Sequence, residues 1–214
     1  MKRFACFLWH DMRSLCLNPW HMVSVTSSIA AMYLMMRFGL PMGIDERAIL
    51  PVLVLGVVMI ALINITHDTF RDDAQQGRIT HWCYAPLLME WIIVARLCAY
   101  VMSTALPVAC IGGWLFAPQG EVWNASAMML ILSATLTIIA CGFLCSALSV
   151  CFEMHQVMGY LLTLPFLFAV MMFATIALGE GERSEQAAMM LYALSCAMTP
   201  IALWVTYRIL RLGA

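Results

Sequence analysis

Charged side chains are scarce in this chain of 214 residues. They make up 11% of the sequence, whereas an ordinary soluble domain devotes about a quarter of its residues to charge. Hydrophobic residues make up 64%, and the mean hydropathy is +0.89. This composition excludes an ordinary soluble domain and predicts a protein that resides in a lipid bilayer. We expect membrane lipid around it and no nucleic acid among its partners.

Lysine is almost absent, because Lys2 is the only one in the sequence. The phosphate-binding P-loop needs a lysine to reach the β- and γ-phosphates of a nucleotide, so this chain is not expected to hydrolyse ATP by itself. The zinc motif H-E-x-x-H and the hydrolase motif G-x-S-x-G are also missing from the sequence. We therefore expect a non-catalytic membrane subunit, with any ATPase activity in a partner chain.

Paired-cysteine spacings of the kind that hold metal ions are missing as well. The chain has nine cysteines, which is an odd number. Cys141 and Cys145 are spaced to share one helix face, but a free cysteine in a membrane helix usually behaves as a small hydrophobic residue. We expect neither a metal site nor a disulfide framework.

The sequence contains several long apolar runs. A helix of about 20 apolar residues crosses a hydrocarbon core of roughly 30 Å, and each run here is continuous, which predicts helices that satisfy their own backbone hydrogen bonds. The prediction is an all-α polytopic membrane protein with a single transmembrane domain over residues 1–214. Its six spans are placed at about 21–40, 48–66, 88–116, 125–150, 156–178 and 187–207.

Residues 1–19 precede the first predicted span and have a helical periodicity of their own. Apolar residues recur every three or four positions, and polar residues fall largely on the other faces. The apolar set is Phe4, Leu8, Met12 and Leu15, and the polar set is Arg3, His10, Asp11 and Ser14. This pattern is typical of an amphipathic helix that lies in the membrane interface.

The basic residues are unevenly divided between the two sides of the predicted membrane. Arg96 falls inside a span, and the other ten divide seven to three. The seven are Lys2, Arg3, Arg13, Arg71, Arg78, Arg208 and Arg211, and the three are Arg37, Arg47 and Arg183. Because basic residues accumulate on the cytoplasmic side, both termini and the segment at 67–86 are predicted to be cytoplasmic.

Residues 67–86 form a long polar interruption between the second and third predicted spans. We predict a short helix that ends at Gly77, a residue type common at helix ends, followed by an amphipathic return to the membrane at Pro86. The predicted helix carries Asp68, Phe70, Arg71, Asp72 and Asp73. A compact cytoplasmic projection of this kind offers a surface for a partner.

An enzymatic alternative comes from the spacing of Asn64, Asp68 and Asp72. Residues four positions apart line one helix face, and this spacing resembles the first aspartate-rich motif of UbiA-type prenyltransferases, where carboxylates hold Mg²⁺ against a pyrophosphate. The other acidic cluster of this chain lies at residues 180–185, which the basic residues place on the opposite side of the membrane. Because a diphosphate needs convergent ligands, this alternative is the weaker one.

Three further residues stand out inside the predicted spans. Arg96 is an ionisable residue within the third span, and such residues often have a function. It lies close enough to the cytoplasmic face for its long side chain to reach the headgroups. Pro107 and Pro165 also fall within spans and are expected to kink them.

The segment "FRDDAQQGRITHWCYAPLLMEWIIVARLCAYVMSTALP", from Phe70 to Pro107, resembles the signature of the CcmB family. The family pattern F-x-D-D-x-x-x-G is present, and Ala95-Arg96 stands where the family has Ala-Lys. "LPFLFAVMMFAT" at 164–175 and Thr199-Pro200 resemble two later family motifs. The chain departs from the family pattern at Ile79-Thr80 and at Tyr100-Val101.

The resemblance implies an ABC-2-type permease-like subunit of the ABC transporter for cytochrome c maturation. Its partners would be the ATP-binding subunit CcmA, the haem-handling protein CcmC with its small helper CcmD, and the haem chaperone CcmE, with two copies of the permease per complex. The implied activity is haem export or release of the haem-loaded chaperone. The implied location is the inner membrane of bacteria or of mitochondria. No cofactor is expected on this chain alone, because ATP-Mg belongs to CcmA and haem is handled by the partner proteins.

We expect the segment at 67–86 to dock into a cleft on the ATP-binding subunit, with Asp72 and Asp73 meeting basic groups there. The five histidines all fall on or near the predicted cytoplasmic side, so axial ligands for haem on the outer side are lacking. Two other functions stay open, namely a permease for another exporter of lipid, polysaccharide or drug type, and a scaffold without transport.

Overall fold

The structure, a computed structural model, describes residues 2–17, 27, 46–67, 69–84, 89–117, 123–152, 156–179 and 183–213. Apart from Ser27, the first predicted span at about 21–40 lies outside these ranges. Every regular element within them is a helix, and they contain no β-strand. The all-α prediction is therefore confirmed for the described part of the chain.

The described helices are numbered in chain order. They are α1 (Lys2–Leu17), α2 (Glu46–His67), α3 (Arg71–Gln75), α4 (Arg78–Tyr84), α5 (Met89–Tyr100), a π-helical segment (Val101–Ala105), α6 (Leu106–Leu115), α7 (Ala125–Cys151), α8 (Gln156–Leu178) and α9 (Ser184–Gly213).

Three of the described helical stretches are long and apolar enough to cross a bilayer, namely Met89–Leu115, Ala125–Cys151 and Ser184–Leu212. Each covers a span predicted from the sequence. The predicted spans at 48–66 and 156–178 coincide with α2 and α8, in which shorter apolar helical stretches occur at Val52–Ile63 and Leu164–Leu178. The chain is therefore an integral membrane protein with at least three candidate spans.

Helix α7 lies at the centre of the described structure and packs against α2, α6, α8 and α9. Its sequence is rich in Ala, Ser, Thr, Gly and Cys, and small side chains let membrane helices approach closely. Several of its hydroxyls donate within the helix, as when Thr135 Oγ1 donates to the Ile131 carbonyl at 2.9 Å. At the N-terminus, Asn124 Oδ1 accepts hydrogen bonds from the backbone N–H groups of Ser126 and Ala127 at 3.1 Å, which satisfies two otherwise unpaired donors.

The span at 89–115 is divided in two by its π-helical segment. Leu106 donates its backbone N–H to the Val101 carbonyl, five residues earlier, and Pro107 follows at once. Proline lacks the N–H that an α-helix uses in its hydrogen-bond ladder, so a change of pattern beside Pro107 agrees with the expected local distortion. Helix α5, which precedes the π-helical segment, packs mainly against α1, and α6, which follows it, packs mainly against α7. Helix α8, in contrast, stays helical through Pro165.

The polar segment contains two short helices, where a short helix followed by an amphipathic return was expected. Helix α2 ends at His67, a turn follows in which the Thr69 N–H donates to the Thr66 carbonyl at 3.3 Å, and α3 begins at Arg71. Asn64 and Asp72 are therefore on different helices. The chain turns between these two residues, so they do not line one face of a single helix. The prediction of a prenyltransferase-type Mg²⁺ site on such a face is therefore wrong.

Gly77 joins α3 to α4 with a φ of +68°. This left-handed conformation is one that glycine adopts readily, and the helix end predicted at Gly77 is confirmed. Helix α4 then returns as an amphipathic helix in which Ile79 and Trp82 are buried, whereas Arg78 and His81 are exposed.

Candidate functional site

Phe70 fixes the polar segment onto the central helix. Its side chain is fully buried, and its ring meets Phe143 of α7 edge-on at a centroid distance of 5.3 Å. The Phe70 backbone N–H also donates to Ser146 Oγ at 3.0 Å. Edge-to-face aromatic pairs stabilise a contact beyond the area they bury. The turn before α3 is thus attached to α7 by both packing and a hydrogen bond.

Arg96 of α5 contacts this segment, and its side chain is only 13% exposed. Its Nε donates to Asp11 Oδ2 at 3.1 Å, and its Nη1 donates to the Thr69 carbonyl at 3.1 Å and to Asp73 Oδ2. The side chain was expected to reach the headgroups, but it points into the protein. Two carboxylates and a carbonyl there compensate a guanidinium more specifically than headgroups would, because its donors form a rigid fork.

Asp73 of α3 is 3% exposed and is shared between two arginines. One carboxylate oxygen accepts from Arg96, and the other accepts from Arg78 Nη1 at 3.3 Å. A carboxylate held in this way has no free face for a partner. The expectation that Asp73 meets basic groups of another protein therefore requires correction, since its basic partners lie in its own chain. We call Asp11, Thr69, Asp73, Arg78 and Arg96 the Arg96 cluster.

Two aromatic rings enclose the Arg96 guanidinium. Its central carbon lies 5.3 Å from the centroid of the Trp82 ring and 5.8 Å from that of Phe70. Aromatic faces attract a cation, and the attraction grows when water is excluded. Phe70 was predicted to lie on a docking surface, but it is buried, and it acts here as part of the wall that holds Arg96.

Tyr100 extends the site by one helical turn toward the π-helical segment. Its hydroxyl is 2.8 Å from Thr69 Oγ1, and its ring meets Phe143 edge-on at 5.4 Å. The polar segment is thus joined to α5 at two successive turns, by Arg96 and by Tyr100. These two contacts hold the polar segment against α5.

The outer face of the polar segment is polar and exposed. Its exposed side chains in the described residues include Arg71, Gln75, Gln76, Arg78 and His81. Of the other residues predicted for docking, Asp68 and Pro86 lie outside the described ranges, as does the side chain of Asp72. Arg71 and the turn at Gly77 thus remain on a surface that a partner could contact.

Sequence reasoning missed Asp11. It was expected on the polar face of an interfacial helix, yet its side chain is only 11% exposed and pairs with Arg96. Helix α1 packs against α5, so the buried face of α1 carries a charge because α5 offers the opposite one. A lone basic residue in the third span was the signal that an acidic partner was needed.

The described residues contain no group of three or more His, Cys, Asp or Glu side chains that could hold a metal ion. Both described carboxylates of the Arg96 cluster are engaged by arginines. The chemistry that the cluster supports is therefore charge pairing between helices, and not ligation.

Comparison with curated proteins found no match. The family model described as CcmB protein matches residues 22–209, which is most of the chain. The resemblance noted in the segment from Phe70 to Pro107 is confirmed by this match. The chain belongs to the CcmB family and is a membrane permease component of the ABC system for cytochrome c maturation.

Proposed function

We propose that this chain couples ATP hydrolysis in the separate subunit CcmA to haem export, or to release of the haem-loaded chaperone CcmE, during cytochrome c maturation. The observation that carries the proposal is the Arg96 cluster, which joins an exposed polar segment to a membrane-spanning helix. A subunit that borrows its energy needs such a connection between the surface that a partner moves and the helices that respond.

The contacts define a path for that movement. Displacement of α3 and α4 by a docked partner would act on α5 through Asp73 and Arg96, and on α7 through Phe70 and its bond to Ser146. The π-helical segment divides α5 from α6, so α5 could change its direction relative to α6 at this segment. Segments of this kind frequently occur at functional sites.

The proposed assembly follows the family. Two copies of this chain would span the bacterial inner membrane with six helices each and both termini in the cytoplasm, in contact with CcmA, CcmC, CcmD and CcmE. Helix α1 would lie in the membrane interface. The outer face of the polar segment, including Arg71 and Gly77, would dock on CcmA, and Asp72 stays an expected contact there. Haem is cargo here, and ATP-Mg would be held by CcmA.

The test uses a photo-crosslinking amino acid at Gln76, which is exposed on the turn between α3 and α4. In the assembled complex, we expect a crosslink to the ATP-binding subunit that changes in yield when ATP is bound. The matched control places the same amino acid at Trp114, which is 59% exposed near the far end of the same span.

A crosslink from Gln76 alone, together with loss of cytochrome c maturation when Arg71→Glu is introduced, supports the proposal. Capture of the ATP-binding subunit from Trp114 but not from Gln76 would place the docking surface elsewhere. Full cytochrome c maturation in cells that lack the chain would refute the proposed function itself.

A further inference from the structure

The Arg96 cluster contains four charges that come from two separable parts of the molecule. Asp73 and Arg78 belong to the polar segment, in α3 and α4, whereas Asp11 and Arg96 belong to α1 and α5. Within each part, one acid pairs with one base, at 3.3 Å for Asp73 and Arg78 and at 3.1 Å for Asp11 and Arg96. The bond between Arg96 and Asp73 is the ionic contact that crosses from one part to the other.

This division matters when the polar segment moves. If α3 and α4 withdraw together, Asp73 keeps Arg78 and Arg96 keeps Asp11, so each charge of the cluster keeps an opposite charge. Breaking a buried ion pair is costly chiefly when it leaves a charge without a partner. Opening breaks the bonds from Arg96 Nη1 to Asp73 and to the Thr69 carbonyl, but the bond from Arg96 Nε to Asp11 remains, so the buried guanidinium keeps a counter-ion.

We propose that Asp11 is a positioning residue for coupling: it serves as the second counter-ion of Arg96 and so allows the polar segment to undock and dock again. This inference rests on the proposed function. Asp11 lies outside the residues that the family model matches, 22–209, so the assignment comes from the contacts of α1 alone.

Removing the Asp11 charge is expected to hold the polar segment more tightly, although it removes an ion pair. Asp11 competes with Asp73 for one guanidinium and repels it, so removing the Asp11 charge strengthens the hold of Arg96 on Asp73. It also leaves Arg96 without a counter-ion in the undocked state. Both effects make undocking rarer. If Asp11 only stabilised the fold, its removal would loosen the segment.

The experiment measures hydrogen exchange in the assembled complex, without nucleotide, for wild type and Asp11→Asn. The backbone N–H of Phe70 is the most direct reporter, because it donates to Ser146 Oγ across the docking contact. We expect exchange at Phe70 and along α3 and α4 to slow by about tenfold in Asp11→Asn, and ATP-dependent cytochrome c maturation to fall with it.

Three further variants isolate the cause. Asp11→Glu keeps the charge and should restore wild-type exchange. Glu90→Gln removes an exposed carboxylate from α5, the same chemical change outside the cluster, and should leave exchange unchanged. Asp11→Asn combined with Asp73→Asn should abolish the slowing, because the bond that holds the segment is then gone.

Unchanged or faster exchange in Asp11→Asn overturns the inference, and so does slowing that persists in the double variant. The exchange measurement does not depend on cytochrome c maturation or on the Gln76 crosslink. A failure of the proposed function is therefore visible separately, as a missing crosslink beside an exchange pattern that still slows.

Discussion

Among the glycines that the structure describes, Gly142 of α7 has the least room for a side chain, and its neighbour is Thr66 of α2. A Cβ atom built on Gly142 would lie 1.9 Å from Thr66 Oγ1 and 2.6 Å from Thr66 Cβ. The Thr66 hydroxyl is itself held by the Leu62 carbonyl at 2.8 Å, so it has no free direction in which to withdraw. Gly142→Ala is expected to force α2 and α7 apart and to destabilise the protein by about 1–3 kcal/mol, measured as a lower midpoint of thermal unfolding in detergent.

Gly56→Ala is the matched control for this substitution. Gly56 lies in α2, as Thr66 does, but a Cβ atom on Gly56 would meet only Met171 Cε, at 3.8 Å. This distance is an ordinary van der Waals contact. The unfolding midpoint of Gly56→Ala should equal or exceed that of the wild type, since alanine favours the helix. Equal midpoints for Gly56→Ala and Gly142→Ala would show that the helices do not approach as closely as described.

At the scale of elements, the polar segment depends on the backbone of Gly77. The residue has a φ of +68°, and a Cβ atom there would meet nothing within 4 Å. Substitution therefore changes backbone strain without a steric clash. Gly77→Ala should cost about 1–2 kcal/mol and raise the open population of the segment by roughly tenfold. Limited digestion with trypsin, which cleaves after Arg78 at the start of α4, measures that population.

Gly77→Asn provides the comparison, because asparagine tolerates the left-handed conformation better than alanine does. Cleavage of the asparagine variant should lie between that of wild type and that of Gly77→Ala. If the segment were already open in the wild type, strain at residue 77 would have no docked state to destabilise. The three proteins would then be cleaved at equal rates, which would contradict the prediction.

The elements of this segment were predictable to different degrees. The end at Gly77 followed from the residue type, and the amphipathic return followed from the spacing of Ile79 and Trp82. The break after His67 followed from the predicted end of the second span at 66. The burial of Phe70 against Phe143 did not follow from the sequence, because these partners are 73 positions apart.

At the scale of the whole molecule, composition predicted apolar helices because a bilayer imposes their length and character. It did not predict that α7 would be central, since all the spans are similarly apolar and only contacts distinguish them. Nor did it pair Arg96 with Asp11, which is 85 positions away. The charge of Arg96 indicated that some partner existed, but helix packing determined which acid was near enough to serve.

The proposed orientation makes a prediction about which loops face the cytoplasm. Basic residues are retained on that side during insertion, and the side with Arg71 and Arg78 has the larger number. Alkaline phosphatase, which is active only outside the cytoplasm, should therefore be inactive when fused after Gly77 or Ala214 and active when fused after Gly43 or Gly120. Activity after Gly43 depends on a span at about 21–40, whereas activity after Gly120 depends on the span at 89–115. Activity after Gly77 would invert the orientation and remove the polar segment from reach of a cytoplasmic ATPase, so this fusion tests the geometry on which coupling depends.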